Sequence, residues 1–156
     1  MSNKTSLFNL ISTEFTGLLS VNTVDVMNII SHQIEDTVIN HKLPVDFFAG
    51  FQRYSFLNRQ RARYERLARI ARRVFVFGIP DDKTPDIPGI EYIPLDASDS
   101  LAQEWFLVIN TPNFYTALMT REVEGRDVIT GGRRFEGFGH MMNASLAKHT
   151  LYYRNI

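Results

Sequence analysis

Apolar residues recur at helical spacing in the first half of the chain and at strand spacing in the second, and this change of period restricts the fold more than any other feature. Val24, Met27, Ile30, Ile34 and Val38 share one face of a 3.6-residue repeat, which predicts a helix from a cap at Asn22 or Thr23 to near Asn40. Leu43-Pro44 breaks the period, because proline lacks an amide and restricts the residue before it, and a connector is expected as far as Gly50. A second helix is predicted from Phe56 to Arg73, with Leu57, Tyr64, Leu67, Ala68 and Ala71 turned inward. Val74-Phe75-Val76-Phe77 then enters a central or near-central strand, stopped by Gly78 and Pro80.

The rest of the chain is punctuated by turn chemistry. Asp81 to Gly89 has loop composition, and Ile90 to Leu95 follows as a short strand that Pro94 places near an edge. Glu104 to Asn110 is a further strand, and beyond the turn at Thr111-Pro112-Asn113 the stretch Phe114 to Val123 suits a strand or a short helix. Arg133 to Phe138 alternates charged and aromatic residues after Gly131-Gly132, as a strand with one wet face does. The expected fold class is α+β, with N-terminal helices packed on a small, about four-stranded, mainly antiparallel or mixed sheet, rather than an alternating β-α-β arrangement. With 156 residues and no interdomain linker, a single domain over 1–156 is expected.

Several function classes are removed by what the chain lacks. No cysteine is present, which excludes disulfides, thiolate metal sites, iron–sulfur clusters and thiol nucleophiles. The 17 basic residues are matched by 17 acidic ones, so no global field draws in nucleic acid or anionic lipid, and nucleic acid is not expected as the main partner. The first twenty residues do not form a secretory signal, and the longest apolar runs, such as Trp105 to Ile109, fall far short of a membrane span. A cytoplasmic location without membrane contact is the resulting expectation. The four histidines have no metal-ligand spacing, and Gly137-Phe138-Gly139-His140-Met141-Met142 fails as a dinucleotide fingerprint because Met142 stands where the third glycine belongs. No cofactor is expected on these grounds, and no catalytic motif is present.

Two constellations remain. Arginine occupies positions 53, 59, 61, 63, 66, 69, 72 and 73, against the single acid Glu65 in that interval. Such a basic ridge can grip phosphate through the guanidinium fork, dock a partner, or be a solvated face whose arginine stems cover apolar surface. Arg59, Arg63, Arg66 and Arg73, together with Arg133 and Arg134, are the candidate contacts for a partner or an anion. The second constellation is aromatic: Tyr64, Phe77, Trp105 and Phe135 are the candidates for lining a small-molecule or chromophore pocket, set against the plainer reading of an ordinary core.

Arg61-Ala62-Arg63-Tyr64-Glu65-Arg66-Leu67 leading into Val74-Phe75-Val76-Phe77-Gly78 resembles the helix-to-strand junction of DICT domains, named for diguanylate cyclases and two-component systems. Ile93-Pro94-Leu95-Asp96, Leu101 to Ile109, Phe114 to Leu118 and Arg134-Phe135-Glu136-Gly137-Phe138 resemble that family in order and spacing, so the likeness runs from Leu7 to Phe138 and leaves 139–156 as a divergent tail, with a short helix expected from Ser145 to Tyr153. The resemblance implies a small α+β sensory domain that works beside cyclase, phosphodiesterase or histidine-kinase modules, with a link to light responses that leaves a bound pigment an open question. The expected function is therefore a non-enzymatic regulatory input module whose association with a signalling partner, or with a second copy of itself, changes with a signal. The alternative is a nucleotide- or nucleic-acid-binding module using the arginine-rich helix 57–73, and an enzyme with an unrecognised site is the more remote rival.

Overall fold

The computed structural model describes residues 20–112 and 115–142, and the expectations for 7–19 and 145–153 lie outside the described residues. The strands are β1 (Ser20–Thr23), β2 (Asp46–Arg53), β3 (Arg73–Ile79), β4 (Ile90–Pro94), β5 (Glu104–Asn110), β6 (Tyr115–Arg126) and β7 (Arg133–Met142). The helices are α1 (Val24–His41), α2 (Tyr54–Asn58) and α3 (Arg61–Ile70). The strands form one sheet in the order β1-β7-β6-β5-β2-β3-β4. β2, β3 and β4 run parallel, and every other pairing is antiparallel, so the sheet is mixed.

The fold class agrees with the expectation, but among the described residues the sheet has seven strands rather than about four. The largest correction is β2, which occupies the segment expected to be a connector and lies inside the sheet between β5 and β3. Gly50 had suggested a break, yet it is a strand residue required by close packing: a Cβ there would stand 2.2 Å from Cε1 of Phe106 on the neighbouring strand. β2 and β3 are joined through α2 and α3 as a β-α-β crossover, and β3 is joined to its other parallel neighbour, β4, through residues 80–89. The segment 115–126 is a strand, which resolves the choice between strand and short helix, and β4 sits at the sheet edge as Pro94 suggested.

α1 starts and stops by its own chemistry. Thr23 is extended and its hydroxyl accepts from the Val26 amide, while Asp25 in the first turn complements the helix dipole. At the other end Lys42 adopts φ 50°, and the Leu43 amide donates to the Val38 carbonyl at 3.1 Å before Pro44 ends any continuation. The helix expected over 56–73 is two helices. α2 ends where Asn58 Nδ2 donates to the Asp82 carboxylate and the Lys83 carbonyl, and α3 restarts at Arg61 to place Tyr64 and Leu67 inward.

Helices and sheet enclose a core on one face, containing Met27, Val38, Phe47, Leu57, Leu67, Val76, Ile109 and Leu118. The opposite face carries a smaller cluster in which Leu95, Leu101 and Ala102 of the segment before β5 cover Phe106 and Met119. Among the described residues, no helix is long and apolar enough to cross a membrane.

Candidate functional site: a cleft over a buried carboxyl

β2 does not run evenly to its end. Gly50 pairs with Phe77 and Gln52 with Gly78, so Phe51 is an extra residue, and Gln52 takes φ 66°, a region that side chains other than glycine seldom occupy. This bulge turns Phe51 against the edge of Tyr64, with ring centroids 5.1 Å apart. The Gln52 side chain is buried and tied to Arg133, whose Nη1 donates to Gln52 Oε1 at 2.7 Å. Strained backbone of this kind persists only where its surroundings enforce it, and such positions cluster at functional sites.

Beside the bulge lies a cleft of about 90 Å³. α1 supplies one wall through Asn28, Ser31, His32 and Glu35, and the α2–α3 junction supplies another through Phe56, Arg59, Gln60 and Tyr64. The sheet contributes Phe51, Trp105 and Leu107, with Arg133 at one side. Trp105 is fixed by donating from its indole Nε1 to Ser31 Oγ at 3.1 Å and by the edge-on ring of Phe135 at 5.3 Å. His32 Nε2 and Gln60 Oε1, 3.2 Å apart, join α1 to the start of α3.

Glu35 dominates the electrostatics. It is only 2% exposed, and Tyr64 donates its phenolic hydrogen to Glu35 Oε2 at 2.7 Å. Burial pushes the carboxyl from an ordinary 4.5 up to about 7, against the opposing pull of Tyr64 and Arg63 and with a small push from Asp36. Burial and the neighbouring carboxylate also raise the Tyr64 hydroxyl well above its usual range. Arg63 Nε stands 3.5 Å from Glu35 Oε1 as an ion-pair partner, but that oxygen accepts no hydrogen bond among the described residues. A buried acceptor left open carries a cost of about 1–3 kcal/mol.

Of the four aromatic candidates, Tyr64 and Trp105 line the cleft, and Phe135 backs Trp105 from inside the core. Phe77 does not reach it. Strand alternation turns that ring to the other face of the sheet, where it packs 5.5 Å from Phe106. Of the arginine candidates, Arg59 and Arg133 reach the cleft and Arg63 stands behind Glu35, bonded also to Asp36. Arg66 is exposed on α3, Arg73 lies 3.6 Å from Asp46 at the start of β2, and Arg134 donates to the Glu124 carbonyl at 2.8 Å on the β6–β7 hairpin.

The arginines therefore do not present one uninterrupted charged ridge. Arg61 pairs with Glu65, Arg63 with Glu35 and Asp36, and Arg72 and Arg73 with Asp46, three of these acids arriving from other elements. The residues missed from sequence are Asn28, Ser31, His32, Glu35, Phe51, Phe56 and Gln60. Ser31 and Glu35 left a signal, since both fall on the inward line of α1 between Met27 and Val38, where polar side chains need a reason to be buried. Among the described residues no group of three or more histidines and acids could hold a metal ion.

The fold is a small α+β domain with a cleft between its helices and one face of its sheet. Residues 6–123 match the sensory domain in diguanylate cyclases and two-component systems, and the chain belongs to that family, the DICT domains. No curated protein and no solved structure showed significant similarity to the chain.

Proposed function

We propose that this DICT domain is a non-catalytic, cytoplasmic input module that senses a small molecule in the cleft beside Glu35 and passes the result on as a change in association. The partner is a cyclase, phosphodiesterase or kinase module, the kinds of protein in which the family occurs, or a second copy of the chain. The observation that carries this reading is the buried Glu35 carboxyl with an open acceptor beneath a cleft shaped by α1, the α2–α3 junction and a strained bulge. A sensor needs the signal to prefer one of two arrangements, and a differential affinity of about 1.4 kcal/mol changes their ratio tenfold. α1 is suited to such a change, because it contacts the ligand space on one side and continues directly into the edge strand β1 on the other.

The nucleotide- or nucleic-acid-binding alternative has less to work with. Arg59, Arg66 and Arg69 form no ion pair among the described residues, while the acids named above engage the neighbouring arginines. The test is native mass spectrometry and sedimentation of freshly purified protein, with pull-down of purified cyclase, phosphodiesterase and kinase modules by wild type and Glu35→Gln. A retained small molecule, or partner capture that differs between the two proteins, supports the reading. Identical behaviour of both proteins in every arm refutes it.

A further inference from the structure

Two of the residues that line the cleft are arginines, and both guanidiniums stand over the same ring. Cζ of Arg133 lies 4.8 Å from the Phe56 centroid and Cζ of Arg59 lies 5.9 Å from it, so the two charges are separated by no more than those distances laid end to end. Like charges held that close repel unless an opposite charge lies beside them. Arg133 has a partial counterweight in Glu122, 3.1 Å from Nη1, whereas Arg59 forms no ion pair among the described residues. Glu35, the one acid among the described residues that line the cleft, adds no charge while it keeps its proton, which burial prolongs to about pH 7.

Arg133 is also held in place. Its guanidinium lies 5.4 Å from the Phe135 centroid as well as over Phe56, and Nη1 donates to Gln52 Oε1 at 2.7 Å and to Glu122 at 3.1 Å. Both bonds use one nitrogen, so Nε and Nη2 have no acceptor among the described residues. Arg59 is exposed and keeps its whole fork. Gln60 meets His32 through Oε1, which leaves Gln60 Nε2 as a further donor on a lining residue.

Size limits what these donors can receive. The space is about 90 Å³, whereas the six carbons of benzene occupy a cavity of roughly 150 Å³. In proportion, the cleft has room for about four non-hydrogen atoms. We propose that it binds a small planar oxyanion, of the carboxylate, bicarbonate or nitrate type, between the guanidiniums of Arg59 and Arg133. This rests on the reading of the cleft as the sensing site. A planar oxyanion presents two oxygens along one edge, the arrangement that a guanidinium fork matches with parallel N–H bonds. Chloride has no such edge, and a nucleotide would leave most of its surface outside. The bound anion ties the α2–α3 junction to the start of β7, the strand on which β1 pairs.

Calorimetric titration and thermal shift with formate, acetate, bicarbonate and nitrate test the assignment, at an ionic strength held constant with chloride and beside acetamide, methylammonium and adenosine monophosphate. At least one planar oxyanion should bind saturably and raise Tm above the chloride baseline. Acetamide, which has the shape of acetate without its charge, should bind about tenfold more weakly than acetate or worse, the loss expected when charged hydrogen bonds become neutral ones. The exposed Arg59→Ala and the charge-conserving Arg133→Lys should each weaken oxyanion binding by a similar factor, with circular dichroism confirming that both fold. Oxyanions that do no more than chloride, or binding that survives both substitutions, overturn the proposal. A tighter ligand among acetamide, methylammonium and adenosine monophosphate, with its binding lost in Glu35→Gln, overturns the oxyanion while leaving the cleft as the sensing site. No binding by any probe overturns the oxyanion, and together with identical association in the Glu35→Gln comparison above it overturns both.

Discussion

Replacing Glu35 by glutamine should make the protein more stable above neutral pH and leave it nearly unchanged in mild acid. Burial lifts this carboxyl from 4.5 to about 7, so between those values the folded chain holds a proton that the unfolded chain has released. Stability therefore falls as pH rises through that window, the reverse of the usual behaviour of a salt-bridged carboxylate. At about 1.4 kcal/mol per pKa unit, the full effect is about 3 kcal/mol, which for a domain of this size displaces Tm by roughly 6–12 °C. The Tyr64 hydroxyl that donates to Glu35 Oε2 can donate equally to the glutamine carbonyl oxygen, so the variant loses little packing. Urea unfolding of both proteins at pH values from about 5 to 8 reads the difference directly as displaced midpoints at constant slope. Wild type should weaken across this range while Glu35→Gln stays flat. Parallel profiles for the two proteins would refute the argument that an ionised Glu35 is an uncompensated burden on the fold.

Other expectations follow from the same geometry. Asp46, Asp81 and Asp127 are held below the ordinary carboxylate range by hydrogen bonds from Arg72, Ser55 and Thr130, although burial opposes this at each. Their contribution is present above the unfolded pKa and disappears as pH falls through the folded one, so unfolding should also ease below about pH 4 and stability should peak in mild acid. Gly50→Ala should destabilise by about 1–3 kcal/mol through overlap with the Phe106 ring, and combining it with Phe106→Leu should recover part of the loss in a urea double-mutant comparison. Trp105 is the single tryptophan and is bonded to Ser31, one helical turn before Glu35, so its emission should titrate with a midpoint near 7 in wild type and lose that transition in Glu35→Gln. Val128→Ser and Ile129→Ser, on side chains 99% and 93% exposed, should leave the unfolding midpoint within about 0.5 kcal/mol of wild type.

Much of the framework was legible because it depends on local rules. The cap at Thr23, the inward Met27 and Val38, the alternation of Val74 and Val76 against Phe75 and Phe77, and the bounds of β5 all follow from period and propensity. β2 was hidden because Pro44 and Gly50 are breakers when judged locally, whereas Gly50 serves a contact with Phe106, more than fifty residues away. The same limit governed the site. Counting acids between Arg53 and Arg73 found only Glu65, but folding brings Glu35, Asp36 and Asp46 to those arginines from other elements. Phe77 was grouped with Tyr64 and Trp105 by residue type, and only the pleat shows that it faces the other way. On α1 the apolar spacing points inward through Ile30 and Ile34, which are half-buried, whereas Ser31 and Glu35 beside them are the buried residues.

The direct passage from β1 into α1 has a mechanical consequence. Thr23 is both the last rung of the β1–β7 ladder, opposite Arg134, and the cap of a helix whose fourth turn carries the buried carboxyl. A tilt of that rigid rod has no slack loop in which to dissipate at this end, so it must twist the outermost strand or loosen its pairing with Arg134 and Phe135.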